Sequence, residues 1–208
     1  MITDPAGSRQ PTKQRLLQAG VRLFAERGFR ETTVGDIEAA VGLQPRRGAL
    51  YRHFPSKEAL LEAALEQHLD ALAEAGAALD NLPLTDMRAE AIALGRWLLS
   101  ELDSERPIVR IFEQDGDRLP ELREVFRHRV VDAGYLATAE LARRWLADAA
   151  STIDVQAVAV VLLGSLVNFR RSTWTFAHPP LGMDSEAFLA TWADLCEATA
   201  TALRTTTP

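Results

Sequence analysis

Arg46, Arg47, Tyr51, Arg52, His53 and Lys57 crowd four cations, a phenol and an imidazole into one short stretch. Together, side chains of these types neutralise phosphates and donate hydrogen bonds to base edges. Arg47 is the first candidate for base reading, because a guanidinium bridges guanine O6 and N7, a pair that discriminates by roughly 1–3 kcal/mol. Arg52 suits either a base or a phosphate, and Arg46 suits the nucleic-acid backbone. Gly48 permits a close approach, and the Ala49 methyl suits contact with a thymine methyl. Upstream, Thr33 offers a hydroxyl beside the free N–H groups of a helix start, a good seat for a phosphate oxygen. The same hydroxyl also suits simple capping, and the two roles are compatible. Nearer the N-terminus, Arg9, Lys13 and Arg15 suit phosphates or a minor groove, and a solvated tail explains them equally well.

Such a set reads nothing unless a rigid frame holds it. The frame is legible in TVGDIEAAVGLQPRRGALYRHF, residues 33–54. Val34, Ile37 and Val41 share one helical face, which predicts a helix over 34–41. Thr33 and Asp36 form a variant of the capping box at its start, and Gly42 closes it. A second helix is expected from near Pro45, with Leu50 and Phe54 turned into a core and the polar set turned outward. A helix apolar behind, small in front and basic at its rim fits a major groove. Before this pair, a helix is expected from about Thr12 to Arg27, ended by Gly28. After it, Ser56 caps a helix running to about Leu79 with a stripe of Leu61, Leu65, Leu69 and Leu72. Lys57 lies in the first turn of that helix, where the dipole disfavours a cation; a nearby phosphate would offset the cost.

The formal charge of −6 looks wrong for a nucleic-acid binder, but its distribution resolves this. Residues 1–58 carry ten basic and six acidic groups, a balance of +4, and the remainder carries 13 and 23, a balance of −10. A basic head on an acidic body orients the head toward phosphate. No run of eighteen apolar residues occurs, and residues 1–13 hold no apolar core of a secretion signal, so neither a membrane span nor export is expected. One cysteine, Cys196, excludes an internal disulfide framework and suits a reducing cytoplasm.

The head resembles the DNA-binding domain of the tetracycline-repressor-like (TetR) family of bacterial regulators. Three of that family's recurring features stand here: Leu23, Phe24, Gly28 and Phe29; Thr32, Thr33, Val34 and Ile37; and Gly48, Leu50, Tyr51, His53, Phe54, Ser56, Lys57 and Leu60. The resemblance covers about residues 12–60. It implies an all-α fold, with an N-terminal three-helix helix-turn-helix domain and a C-terminal helical ligand-binding and dimerisation domain. It implies phosphate contacts for Tyr51, His53 and Lys57. One departure stands out: between Gly42 and Tyr51 this chain carries about two residues more than the usual pattern. The expected organisation is a disordered arm over 1–11, the DNA-binding domain over 12–58 and the helical body over 59–208.

In the body, Asn81-Leu82-Pro83 should break the chain. Helices are expected from about Thr85 to Leu102, from Pro107 through Phe112, and from Pro120 to about Ala149, the last facing Val125, Phe126, Val130, Val131, Leu136, Leu141, Trp145 and Leu146 inward. The helix over 154–176 is apolar all round at its middle, so it should be buried on all sides. Val160, Leu163, Gly164 and Val167 on it, with Phe188, Trp192, Leu195 and Thr199 on the last helix, form the expected dimer interface. By the resemblance these two helices pair with their copies as a four-helix bundle; filling the monomer core would explain the same pattern. The resemblance also puts a small-molecule effector site in the body. Trp97, Phe112, Phe126, His128, Tyr135, Asn168, Arg170 and Trp174 are candidate lining residues, and Asn168 is the most pointed, as a polar group in an apolar helix.

No enzyme signature occurs, neither H-E-x-x-H, G-x-S-x-G, G-x-G-x-x-G nor a Walker loop. The four histidines are scattered and a single thiol makes no metal cage, so no cofactor or metal is expected. Cys196, among apolar neighbours, reads as a buried inert thiol rather than a redox sensor. The expected partners are a palindromic double-stranded DNA operator, a second copy of the chain and an effector that releases the DNA. A ligand-independent regulator or activator, and a helical module with a vestigial head, are the competing readings.

Overall fold

The computed structural model describes residues 10–45, 47–80 and 86–206. Among these residues there is no strand. The helices are α1 (Thr12–Arg27), α2 (Val34–Ala40), α3 (Lys57–Asp80), α4 (Met87–Asp115), α5 (Pro120–Phe126), α6 (Ala133–Leu146), α7 (Val155–Phe176) and α8 (Ser185–Thr206). The all-α class is as expected. Of the arm predicted over 1–11, residues 1–9 lie outside the described residues, as does the break predicted at Asn81–Pro83. The chain divides into two compact units. One comprises the described part of Met1–Asp70 with Arg106–Arg123, the other the described parts of Ala71–Glu105 and Glu124–Pro208.

The first unit is built on one apolar cluster. Leu16, Leu23 and Phe24 of α1, Ile37 of α2, Leu50, Phe54, and Leu60 and Leu61 of α3 all bury their side chains in it, with Ile111 and Leu119. Gly28 ends α1 at φ 94°, and its N–H donates to Phe24 O at 2.9 Å. An alanine there would be strained, since that backbone region is open mainly to glycine. The capping box opens α2 as the sequence predicts. Asp36 N–H donates to Thr33 Oγ1 at 3.2 Å and Thr33 N–H to Asp36 Oδ2 at 2.8 Å. Ser56 accepts from Ala59 N–H at 3.1 Å at the head of α3.

The second unit has its own core. Leu99 of α4, Leu141 and Trp145 of α6, Leu166 and Phe169 of α7, and Leu189, Trp192 and Cys196 of α8 are buried together. Phe169 and Phe188 stack face to face at 4.1 Å. Asp154 and Asp184 cap α7 and α8 by accepting from the N–H groups two and three residues on. Gly95 lets α4 and α8 approach closely, because a Cβ there would meet Leu189 Cδ2 at 2.5 Å.

Three predicted elements differ. Pro107 does not open a separate helix: α4 runs through it, without the backbone bond its missing N–H would have made. The division between the two units falls beside that proline, at Glu105–Arg106. Nor does one helix run from Pro120 to Ala149. A π-helical stretch, Arg127–Asp132, separates α5 from α6, and Ala147 ends α6 at φ 48°. The wider turn rotates the chain beyond it, so a 3.6-residue pattern carried through it misassigns faces. Val131 and Leu136, expected inward, are exposed in consequence. Finally, among the described residues no α-helix starts at Pro45, and between α2 and α3 these residues form one helical turn, Leu50–Arg52.

Two measurements check these elements. Thr33→Ala should lower stability to urea by about 1 kcal/mol, the usual worth of such a cap. The Thr33 hydroxyl and N–H hold the Asp36 carboxyl below its ordinary range, so the box contributes above that range and is lost as acid protonates Asp36. Burial pushes the Cys196 thiol from its ordinary 9.0 up to about 12. Native protein at pH 8 should therefore resist alkylation that goes to completion in denaturant. Between those two values the unfolded chain sheds a proton that the folded chain keeps, so stability should fall as pH rises.

Candidate nucleic-acid interface

The site is assembled at the two ends of α2 and the start of α3. Lys57 ties them together. Its Nζ donates to Phe29 O at 2.7 Å and to Thr32 O at 2.8 Å, and it lies 4.6 Å from the Phe29 ring centroid. The cost of a cation in the first turn of α3 is thus offset inside the protein, by two carbonyls and a π face. The backbone of Phe29 is also held through its other polar group, where its N–H donates to Asp115 Oδ2 at 2.7 Å. Thr32 is fully buried, its hydroxyl within reach of Leu23 O and Gly28 O, so of the two threonines only Thr33 shows its side chain to solvent. Arg15 donates to Val41 O at the far end of α2, and Lys13 lies over the Phe54 ring at 5.7 Å. Both phosphate candidates therefore have partners within the head.

The predicted recognition helix is a single 3-10 turn, Leu50–Arg52. Gly48 sits at φ 70°, which no continuous right-handed helix accommodates, so the stretch from Pro45 cannot join it. Arg46 lies outside the described residues. The polarity of the turn is as expected: Leu50 and Phe54 are buried, while Arg47, Tyr51, Arg52 and His53 are exposed, Tyr51 to 58%. Gly48 and Ala49, between Arg47 and Leu50, are half-buried. Thr33, Arg47, Tyr51, Arg52 and His53 are therefore all open to solvent on the unit that carries α2, and Lys57 is half-buried against it.

One residue of the site escaped sequence reasoning. Glu38 is fully buried in α2, and its Oε1 accepts from Leu50 N–H at 3.0 Å. No local signal marks it, because its partner, Leu50 N–H, lies twelve positions away on another element. In the second unit Arg170 lies 3.5 Å from Asp103, and Trp174 Nε1 donates to the same carboxylate at 2.9 Å. Trp97 is half-buried with no acceptor on its Nε1, Phe126 is buried and Tyr135 is half-buried. His128 and Asn168 are exposed, so Asn168 makes no demand for a buried partner within the chain. Phe112 packs against the core of the first unit. The candidate effector residues thus fall in both units rather than lining one core.

The interface candidates divide by depth. Leu163 and Trp192 fill the core of their own unit, and Val167 and Phe188 are half-buried. Val160, Val161 and Leu195 are 56%, 70% and 62% exposed, Thr199 is exposed, and a Cβ on Gly164 would meet nothing within 4 Å. The middle of α7 is therefore not covered all round by its own chain.

Comparison with known proteins bears on this arrangement. Residues 16–64 match the family described as bacterial regulatory proteins, tetR family. The chain is 31% identical over 130 residues to the HTH-type transcriptional regulator UidR of Escherichia coli, a match covering 62% of this chain and 64% of UidR. It is 42% identical over 69 residues to the HTH-type transcriptional repressor KstR2 of Rhodococcus jostii, covering 33% of each. The matches thus span less than two thirds of these curated relatives. In fold, the chain is similar to the fatty acid degradation regulator FadR of Bacillus halodurans (TM-score 0.64, 15% identity, 91% of this chain and 96% of that one). It is also similar to Salmonella enterica GusR (TM-score 0.58, 23% identity, 97% and 100%). The head, residues 16–64, thus matches the tetR family of bacterial regulatory proteins, and the chain as a whole is similar in fold to these solved regulators.

Proposed function

We propose that the chain is a transcriptional repressor that binds a palindromic DNA operator as a homodimer and is released by a small-molecule effector. The observation that carries the DNA reading is the exposed set Arg47, Tyr51, Arg52 and His53 around a turn whose Leu50 is anchored in the core. Thr33 at the start of α2 supplies a backbone-phosphate contact, and Arg46 and Lys57 add positive charge. Gly48 and Ala49 keep the centre of the surface low. The dimer reading is supported by the exposed apolar face of Val160, Val161 and Leu195, where Gly164 permits close approach. The buried Trp97 Nε1, without an acceptor, favours an effector with an acceptor oxygen. Among the described residues no helix is long and apolar enough to cross a membrane.

Purified protein should select one palindromic duplex from a random pool. Its affinity for that duplex should fall by roughly 10³-fold or more between 50 and 200 mM salt. Arg47→Ala should weaken that binding by about 10- to 100-fold, one base contact's worth. Equal binding of selected and scrambled duplexes would overturn the reading. Val160→Glu with Leu195→Glu should convert a dimer to a monomer in sedimentation, with helix content unchanged. A variant that stayed dimeric would remove α7 and α8 from the interface.

A further inference from the structure

We propose that Glu38 is a positioning residue for DNA reading: its buried carboxylate sets the register between the phosphate-facing start of α2 and the base-facing turn at 50–52. The proposal rests on the DNA-binding reading above and adds a residue and a mechanism to it.

A short turn carries an unsatisfied group. The first N–H of any helical turn has no partner inside the turn, and a turn of three residues offers no second layer of bonds to compensate. The residue that should cap this turn, Ala49, has no acceptor in its side chain. Glu38, twelve positions upstream and on a different element, supplies one by accepting Leu50 N–H at 3.0 Å. The remaining backbone bonds of the turn, His53 and Phe54 N–H to Leu50 O, both at 2.9 Å, also converge on residue 50. Leu50 is therefore the pivot of the reading turn, and Glu38 holds its N–H while the apolar cluster holds its side chain.

Burial makes this placement informative. A carboxylate hidden from water is costly unless its oxygens are hydrogen-bonded. Position 38 lies beside Ile37 and near Val41, both members of the apolar cluster, where a leucine would be the cheap choice. A charged acceptor does what leucine cannot, since hydrogen bonds from backbone N–H to carboxylate are stronger than neutral ones. The need is local to this chain's geometry. With Gly48 at positive φ, no helix among the described residues leads directly into the turn to orient it. A bond from α2 does so instead. Thr33 caps α2 and Glu38 lies within it, so the phosphate-contacting and base-reading surfaces are tied to one helix. Phosphate contacts position a protein on DNA and base contacts specify the site. Loss of Glu38 should therefore damage the second and spare the first.

The test uses the full chain with glutamate, Glu38→Gln, Glu38→Ala and Glu38→Leu. Each binds the duplex selected by the wild type and a scrambled duplex, over a salt series. In parallel, amide exchange is followed in the peptide covering 49–54. Glu38→Ala and Glu38→Leu should lose about tenfold or more of the preference for the selected duplex, the worth of one base contact. Their affinity for scrambled DNA and their salt slope should stay at the wild-type values. The Leu50 region should exchange faster in both. Glu38→Gln, which keeps an acceptor oxygen at the same reach, should retain most of the preference and the protection, and it is the informative variant if alanine does not fold. Unchanged exchange at 49–54 in Glu38→Leu would overturn the proposal, as would a parallel fall in affinity for both duplexes. If the wild type itself selects no duplex, the DNA reading fails, and the proposal built on it fails for that separate reason; exchange then reports only whether Glu38 holds the turn.

Discussion

The ammonium of Lys57 holds the corner between α1 and α2, and the rest of the head is hung from that corner. Two carbonyls, Phe29 O and Thr32 O, and the Phe29 ring all face it. On the other side the Asp115 carboxylate takes the Phe29 N–H. One residue is thus clamped through both its backbone polar groups, by opposite charges from α3 and α4. Charge-assisted bonds of this kind are about twice as strong as neutral ones. What they fix is the point where α2 begins, and so the direction in which Thr33 faces. Lysine at this position is accordingly part of the head's architecture.

The turn at Leu50–Arg52 depends on the same frame in a less obvious way. Three residues of 3-10 helix have no stability of their own, since forming a turn costs more order than its bonds return. Leu50 and Phe54 dock it on the core, and Glu38 fixes its first N–H. The exposed side chains around it are free of packing duties, which leaves them available to a ligand. Arg47 lies outside any helix and its neighbour Gly48 takes a positive φ, so helical periodicity does not set the direction of that side chain.

The body obeys a different constraint. Its core is assembled from four helices, α4, α6, α7 and α8, with stacked Phe169 and Phe188 at the contact. Exposed ion pairs such as Arg88–Asp194 at 2.6 Å add little, because solvent screens them. One side of α7 remains apolar and exposed around Val160 and Val161.

Much of this was written in local sequence. The capping box of Thr33 and Asp36, the glycine stops at 28 and 42, and the apolar faces of α1, α2 and α3 each depend on residues within a few positions, so spacing alone determined them. The inward turn of Leu50 and Phe54 and the outward turn of Tyr51 and His53 were legible for the same reason. Tertiary structure decided what spacing cannot express. A π-helical turn at 127–132 reset the register of α6, so Leu136 came out exposed. Pro107 was carried inside a helix in which Leu99 and Ile108, on either side of it, are both buried. The glycine at 48 took a left-handed conformation that ended the recognition helix before it began. The Lys57–Phe29–Asp115 clamp joins residues up to 86 positions apart. Glu38 gained its partner only when the fold placed Leu50 N–H against it. Periodicity reports which face of an element is apolar; it carries no information about which distant group will need a hydrogen bond.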